Sequence, residues 1–321
     1  MLHISGRIVT ARPRADVLAK IVGAETRLQV KDALQGYLFL LPWILGLLLF
    51  VAGPLLASLY LGFTNYSVLG SPSWVGLENY ETAFLKDDLF WPSLARTLYY
   101  ACGLVPLSLL GSLLLATLLN QGIYGQNTFR TMFFLPHLTP AIAMAVLWSW
   151  LLHPSLGPIN AALGSVGLPQ PLWLRSRESV IPTLILISTW GSVGGNNMLI
   201  FLAALQDVPA ELYEAAQIDG AGPFHKFWYI TLPMISPAFL FNLVLGIVGA
   251  LKVFSMAYVA TQGGPNYGSW FFALHIYYQS FSYFRLGYGS SLAWIFASAL
   301  IMLTILTLKL SGRWVYYAGS R

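Results

Sequence analysis

The sequence predicts an all-α, polytopic membrane protein with six transmembrane helices, and three observations carry that prediction. Hydrophobic residues fill 57% of the 321 positions and charged residues only 9%, a balance that soluble domains do not show. Six apolar runs, at 37–62, 97–119, 132–152, 180–205, 238–260 and 288–308, have the length of about 20 residues that crosses roughly 30 Å of hydrocarbon. They are continuous and rich in Leu, Ala and Gly, without the alternation of a membrane β-strand, which excludes a barrel.

Charges are scattered through the first 32 residues, and the first run is too long for a signal peptide and lacks a small-residue cleavage site, so it is read as a retained span. Ahead of it, "ADVLAKIVGAETRLQVKDALQG" at 15–36 is amphipathic, and residues 1–36 are read as a cytoplasmic segment whose greasy stretch lies along the inner surface. The second run holds Cys102, the only cysteine, which rules out a disulfide within the chain and reads as packing. The fourth run carries "TWGSVGGNNMLIF", in which Gly191 and Gly195 suit a close helix contact while Trp190, Asn196 and Asn197 place an aromatic plate and two amides near the bilayer middle. The fifth run holds Asn242, Phe254, Ser255 and Tyr258, and Lys252, the one formal charge inside any run. After the sixth, residues 311–321 form a short tail, so the membrane domain is read as 37–310.

Charge placement orients the chain. Eleven Lys and Arg residues fall before run one, between two and three, between four and five, and after six, whereas the other three connections hold five: Lys86, Arg96, Arg175, Arg177 and Arg285. Both termini and the 206–235 loop are therefore expected in the cytoplasm of a bacterial or archaeal cell bounded by this inner membrane. The net charge of +5 then reflects topology and lipid anchoring rather than nucleic-acid binding. The five histidines, at 3, 137, 153, 225 and 275, form no pair at metal-ligand spacing, and no Ser-His-Asp, paired-carboxylate or Gly-rich cofactor pattern stands out, so catalytic and metal roles find no support.

The 206–235 loop is the polar exception. Asp207, Glu211, Glu214 and Asp219 crowd within it between two hydrocarbon stretches. Asp207 can cap a helix opened by Val208 and Pro209 and running to about Asp219, Gly220 supplies a left-handed end, and Pro223 can open a second short helix. Leu212, Ala215 and Ala216 crowd one side of the first helix, a face of small residues that fits either the chain's own spans or another protein.

"EAAQIDGAGPFHKFWYITLP" at 214–233 resembles the EAA loop of the ABC importer permeases. The matching residues are Glu214, Ala215, Ala216, Asp219, Gly220, Ala221, Phe227, Ile230, Leu232, Pro233 and Pro237. "FLAALQDVPAELY", "TQGGP" at 261–265, "FLLPWILGLLLFVAGPL" and "WVGLENY" are similar to the carbohydrate-uptake branch, the maltose and glycerol-phosphate type. The resemblance covers about residues 36–310. It implies the type I ABC importer permease fold, a loop that docks in a cytoplasmic ATPase carrying the ATP and Mg, a second homologous permease, and an extracytoplasmic solute-binding protein. The sequence agrees in one respect: none of Lys20, Lys31, Lys86, Lys226, Lys252 and Lys309 is followed by Ser or Thr, so the chain holds no P-loop and binds no nucleotide by that route.

Lys252 lies about 22 Å along its span from Pro237 at 1.5 Å per residue. An uncompensated charge at a helix centre costs about 2.5–3.5 kcal/mol, which marks Lys252 either as a substrate-path residue or as a side chain that snorkels outward. On a continuous helix Ser255, Met256 and Val259 share its face. Neutral amides and aromatic faces suit sugar hydroxyls and C–H faces, and interhelical hydrogen bonding is the other reading of the same asparagines. Related permeases usually carry Asp after Phe ahead of the "TQGGP" motif; Ser255 stands there here, leaving the substrate open. The segments 63–96, 153–179 and 261–287 are long enough to receive a binding protein.

The sequence thus points to the permease subunit of a binding-protein-dependent sugar importer working by alternating access, and not to an enzyme. An importer of a polyol phosphate or an amino acid is the first alternative. An ion-coupled secondary transporter is the second, and the absence of Asp and Glu from all six runs speaks against it.

Overall fold

A computed structural model of the protein describes residues 27–67, 70–122 and 124–316, with side chains from residue 32 onward. Residues 1–26 and 317–321 lie outside it, and with them most of the amphipathic N-terminal segment and part of the tail. The chain divides into two compact units, Met1–Tyr60 and Leu61–Arg321.

In the first unit, α1 (Arg27–Leu47) carries the described end of the amphipathic segment straight into the first span. A π turn at Leu48–Ala52 joins it to α2 (Gly53–Leu61). Pro54 has no N–H to give the carbonyl four residues back, and the Gly53 amide bonds Leu48 instead, which widens the turn. Leu38, Phe39, Trp43 and Phe50 are all exposed, as hydrocarbon-facing side chains should be.

Beyond α2 come a two-residue hairpin ladder of β1 (Thr64–Asn65) and β2 (Ser73–Trp74), the short α3 (Glu78–Leu85), and the long α4 (Phe90–Leu119). The third crossing is α5 (Gln126–Leu138) followed by α6 (Ala141–Leu151), bent by 92°, and the fourth is α8 (Val180–Val193) followed by α9 (Asn196–Gln206), bent by 44°. Between them lie α7 (Pro158–Ser165) and a 3-10 turn at Trp173–Arg175. Each bend has a local cause. Pro140 forces Thr139 out of the helical region (ψ 125°), and at the other break the two residues are Gly194 and Gly195.

The 206–235 loop folds as α10 (Ala210–Ile218), α11 (Pro223–Lys226), a π turn at Phe227–Thr231 and α12 (Leu232–Met234). The fifth crossing is α13 (Ser236–Leu251) and α14 (Ser255–Ala260), then α15 (Phe272–Tyr277) and the sixth crossing, α16 (Leu286–Ser311). Among the described residues four helical stretches, with Ser236–Ala260 counted as one, are long and apolar enough to cross a membrane, and up to six crossings result when each bent pair counts as one.

α4 is the hub, packed against α8, α9 and α13. Its buried face recurs every three or four residues and is largely hydroxyl-bearing or small, with Ser93, Thr97, Ala101, Ser108, Ser112 and Ala116, while Leu98, Leu107, Leu110, Leu114 and Leu118 look outward. Lipid is as apolar as leucine, so nothing drives Leu inward, and close packing with interhelical hydrogen bonds takes over. The Ser112 Oγ donates to Val193 O at 2.8 Å and the Tyr100 hydroxyl to Ser188 at 2.7 Å. Cys102 falls on the exposed side of α4, so the reading of it as a packing residue is not met within the chain.

Candidate functional site

The loop opposite the long 153–179 and 261–271 connections is a closed helical hairpin. Asp207 does not cap α10 as the sequence suggests; it ends α9, its amide bonding Ala203 at 3.1 Å, and Pro209 occupies the cap of α10 with no side-chain bond. The other end of α10 forms as a glycine signal dictates. Gly220 sits at φ 77°, its amide bonds Gln217 at 3.1 Å, and the Ala221 amide bonds Ala216 at 2.8 Å, the paired bonds that close a helix through a left-handed residue.

Two further links fix the hairpin: the Tyr213 and Thr231 hydroxyls share a hydrogen bond at 2.8 Å, and the Lys226 amine reaches Gln217 at 3.5 Å. Phe227, Ile230 and Leu232 pack toward the core. Glu214, Ala215 and Asp219 face outward, and so do Ile218 (88% exposed), Phe224 (71%) and Tyr229 (77%). Glu214, Ala215 and Asp219 therefore belong to the presented surface, whereas Ala216, Gly220, Ala221, Phe227, Leu232 and Pro233 shape it.

Within the membrane three crossings are broken at similar places, and the ends converge on two adjoining cavities. One of about 630 Å³ is lined by Ser108, His137, Ser192, Asn196, Asn197 and Gly249 among others. The second, of about 500 Å³, shares His137, Ser192 and Gly249 and adds Phe254 and Ser255. His137 lies in the last turn of α5, Asn196 opens α9 and Ser255 opens α14, so unwound backbone lines internal cavities rather than facing lipid, where it is tolerated at membrane depth. The glycine pair makes room: a Cβ on Gly194 would stand 1.9 Å from Phe133 O, and one on Gly195 2.6 Å from His137 Nδ1. The close approach is here rather than at Gly191, where a Cβ meets only Met144 at an ordinary 3.5 Å.

The predicted path residues separate. Asn196, Phe254 and Ser255 face the cavities. Asn197 does too, but its amide is engaged, donating to Ser108 at 3.3 Å. Asn242 is fully buried and donates to Asn197 O at 3.2 Å, a bond between spans. Trp190 turns the other way, edge-on to Trp148, and lines an apolar cavity against α4 and α5. Tyr258 stacks on Phe254 (ring centroids 5.3 Å, 14°) and meets Tyr277 at 5.2 Å, forming an aromatic cluster.

Lys252 is exposed, lines neither cavity, and sits where the helix stops: α13 ends at Leu251 and α14 begins at Ser255. The interruption at 252–254 breaks the i+3 and i+4 register on which Ser255, Met256 and Val259 were expected to share its face.

Two features escaped the sequence reading. His137 is one, an imidazole inside an apolar run. The other is a buried polar network at the far end of the spans. The Asp87 carboxylate accepts from His275 Nε2 at 2.8 Å, from the Tyr288 hydroxyl at 2.5 Å and from the Leu89 amide at 2.9 Å. The indole of Trp270 donates to His275 Nδ1 at 3.1 Å. An indole N–H only donates, so Nδ1 must accept and the ring proton lies on Nε2, facing Asp87. Burial pushes the Asp87 carboxyl up, but the hydrogen bonds from His275, Tyr288 and the Leu89 amide outweigh it and bring the pKa down to about 2.

Residues 108–318 match the family described as the binding-protein-dependent transport system inner membrane component. The chain is 39% identical over 291 residues to a probable ABC transporter permease protein of Bacillus subtilis (strain 168), YesP, covering 89% of this chain and 93% of that one. It is 32% identical to the arabinooligosaccharides transport system permease protein AraP of the same organism, over 86% of this chain and 88% of AraP. Among solved structures it is similar to a chain of a bacterial ABC transporter involved in import of the acidic polysaccharide alginate, with a TM-score of 0.80, 25% identity, and 90% and 99% of the two chains covered.

Proposed function

We infer that this chain, which belongs to the family of binding-protein-dependent transport system inner membrane components, is the membrane-spanning permease subunit of a sugar importer, forming the path with a second, homologous permease. The single observation that carries the coupling half of this reading is the 206–235 hairpin: a preformed helical turn that presents Ile218, Phe224 and Tyr229 to water. An apolar patch on a soluble loop is a binding surface, and a chain without a P-loop must borrow its ATPase. Two ATPase subunits, holding the ATP and Mg, would grip Glu214, Ala215 and Asp219 from the cytoplasm, and a solute-binding protein would deliver sugar at the other face.

Closure of the ATPases would move the hairpin, and the three broken crossings give the spans places to bend around the cavities that hold His137, Asn196 and Ser255. The polar groups there, imidazole, amide and hydroxyl, suit sugar hydroxyls. No Asp or Glu lines either cavity, which supports the importer over an ion-coupled transporter.

Purification of the tagged chain is the test of this reading. A nucleotide-hydrolysing partner should copurify and be lost when Ile218 and Phe224 are changed to Asp; purification without such a partner, or its retention by the doubly charged variant, would sink the coupling role.

Orientation follows from the eleven-to-five split of Lys and Arg. In a Cys102→Ser background, needed because Cys102 is exposed, a cysteine at Ser71 should react with an impermeant thiol reagent in intact cells and one at Gly222 should not. The opposite pattern would reverse the topology.

Lys252→Met should leave uptake kinetics unchanged, because the amine lines no cavity. A loss of about tenfold in apparent affinity, the size of one charge-assisted hydrogen bond, would return it to the path.

A further inference from the structure

On the face opposite the hairpin, two arginines flank one turn. Arg175 lines a cavity of about 390 Å³ together with Ser149, His153, Thr261 and Pro265, a volume within the range of about 300–1,000 Å³ that ligand clefts occupy. Pro265 O accepts from the Gly268 amide at 2.8 Å, and a Cβ on Gly268 would lie 3.3 Å from the Arg177 Cα, so Arg175 and Arg177 flank the 263–268 turn. The Arg177 charge bears in turn on Arg96 at the start of α4.

None of the three is paired. Among the described residues the ion pairs are Lys86–Glu81 and His275–Asp87. Arg96 Nη1 is buried with no hydrogen-bond partner, and so is the Ser149 hydroxyl at the wall of the cavity. A guanidinium is always charged, has five donors and accepts nothing. Like charges held close around a pocket with idle buried donors are stabilised when an anion enters. No Asp or Glu lines this cavity or the two deeper ones, so nothing along the way repels one.

We propose that this cavity receives a carboxylate-bearing saccharide, with Arg175 meeting the carboxylate, Arg177 beside the turn adding to the positive field, and Ser149 and His153 meeting hydroxyls. The inference rests on the importer reading and deepens it by naming the substrate class as acidic oligosaccharides. The cavity favours a sugar over an acidic side chain of a docked protein. Ser149 lies in the last turn of α6, and Leu152, Leu174 and Ala260 line the cavity as apolar patches for the C–H face of a sugar ring.

The probes are di- and trisaccharides of uronic acids, prepared from alginate and polygalacturonate, beside the same oligomers with each carboxyl reduced to a hydroxymethyl group. Uptake is followed in cells expressing the complete importer, for the parent and for Arg175→Gln/Arg177→Gln and Ser149→Ala, with copurification of the complex as the assembly control. The parent should import the acids in preference to their reduced counterparts, the arginine variant should lose acid uptake at least tenfold while assembly persists, and added salt should narrow the difference.

Import of the reduced oligomers alone would overturn the acidic class and leave the importer reading standing. Acid import that the arginine variant retains would overturn the site. Loss of both uptakes together with loss of binding-protein capture would make the arginines a docking surface and overturn the proposal. Uptake of neither set by an assembled complex would overturn the acidic class, and absence of a copurified ATPase would sink the importer reading itself.

Discussion

Gly220→Val is expected to abolish uptake while leaving the permease in the membrane at normal level. The residue holds φ 77° and ends α10, and a Cβ built there meets nothing within 4 Å. The penalty is therefore purely one of backbone: the left-handed conformation costs an L-residue about 1–2 kcal/mol, and a β-branched side chain suffers most. About 2 kcal/mol shifts the population of the closed hairpin by roughly thirtyfold. The bonds at stake are local, Gly220 to Gln217 and Ala221 to Ala216, and they set the angle at which α11 leaves α10. The spans themselves are untouched. Asparagine tolerates the left-handed region and has open space here, so Gly220→Asn should keep most activity. Uptake normalised to assembled permease decides the matter. A fully active valine variant, or an asparagine variant as impaired as valine, would remove the turn from the coupling mechanism.

That turn was legible because its cause is local, and the same holds at other places where a short-range rule decides the outcome. Apolar runs of spanning length gave the crossings, and Pro223 the start of the second hairpin helix, whereas the bend at Pro140, inside a run read as continuous, went unread although its cause is equally local. The break at Lys252 had no such warning. "LKVFS" contains neither Gly nor Pro, and the helix stops there where α14 turns to pack on α6, which only the tertiary fold decides. Reading α13 and α14 as one continuous helix carried the i+3 register from Lys252 to Ser255 through residues that are not helical.

Asp207 failed as a cap for a related reason, since α9 extends far enough to use it as an end instead of a beginning. His137 was dismissed because it has no metal-spaced partner, yet its role is set by the glycine pair that leaves room for its ring. Asn196 and Asn197, neighbours in sequence, divide between open cavity and interhelical bonding because the step of about 100° between successive helical residues points them apart.

Asp87→Asn is expected to lower the thermal stability of the solubilised complex by several degrees, through bonds that join residues 188 and 201 positions apart. Both His275 and Tyr288 donate to the same carboxylate oxygen, and the Trp270 indole holds the imidazole so that it has only an N–H to offer. An amide replaces one carboxylate oxygen by an NH2 group that can only donate, so it faces either the Leu89 N–H or the His275 and Tyr288 donors and at least one donor loses its partner, at about 1–3 kcal/mol each. The network clamps the loop before α4 to α15 and to the start of α16, so the loss should be felt at that end of the spans and not in the hairpin. The pH dependence has a definite sign. The folded-state pKa of Asp87 is about 2 against an ordinary 3.8, so the carboxylate's contribution is complete above about pH 4 and is lost as the pH falls through about 2. The deficit of Asp87→Asn should accordingly be constant across the neutral range and shrink only below about pH 4. Tyr288→Phe removes one donor from the same oxygen, and combined with Asp87→Asn it should cost less than the sum of the two single changes. Melting followed by tryptophan fluorescence on the four proteins tests this. An Asp87→Asn complex as stable as the parent, or strictly additive losses in the double variant, would show that the carboxylate does not hold these segments together.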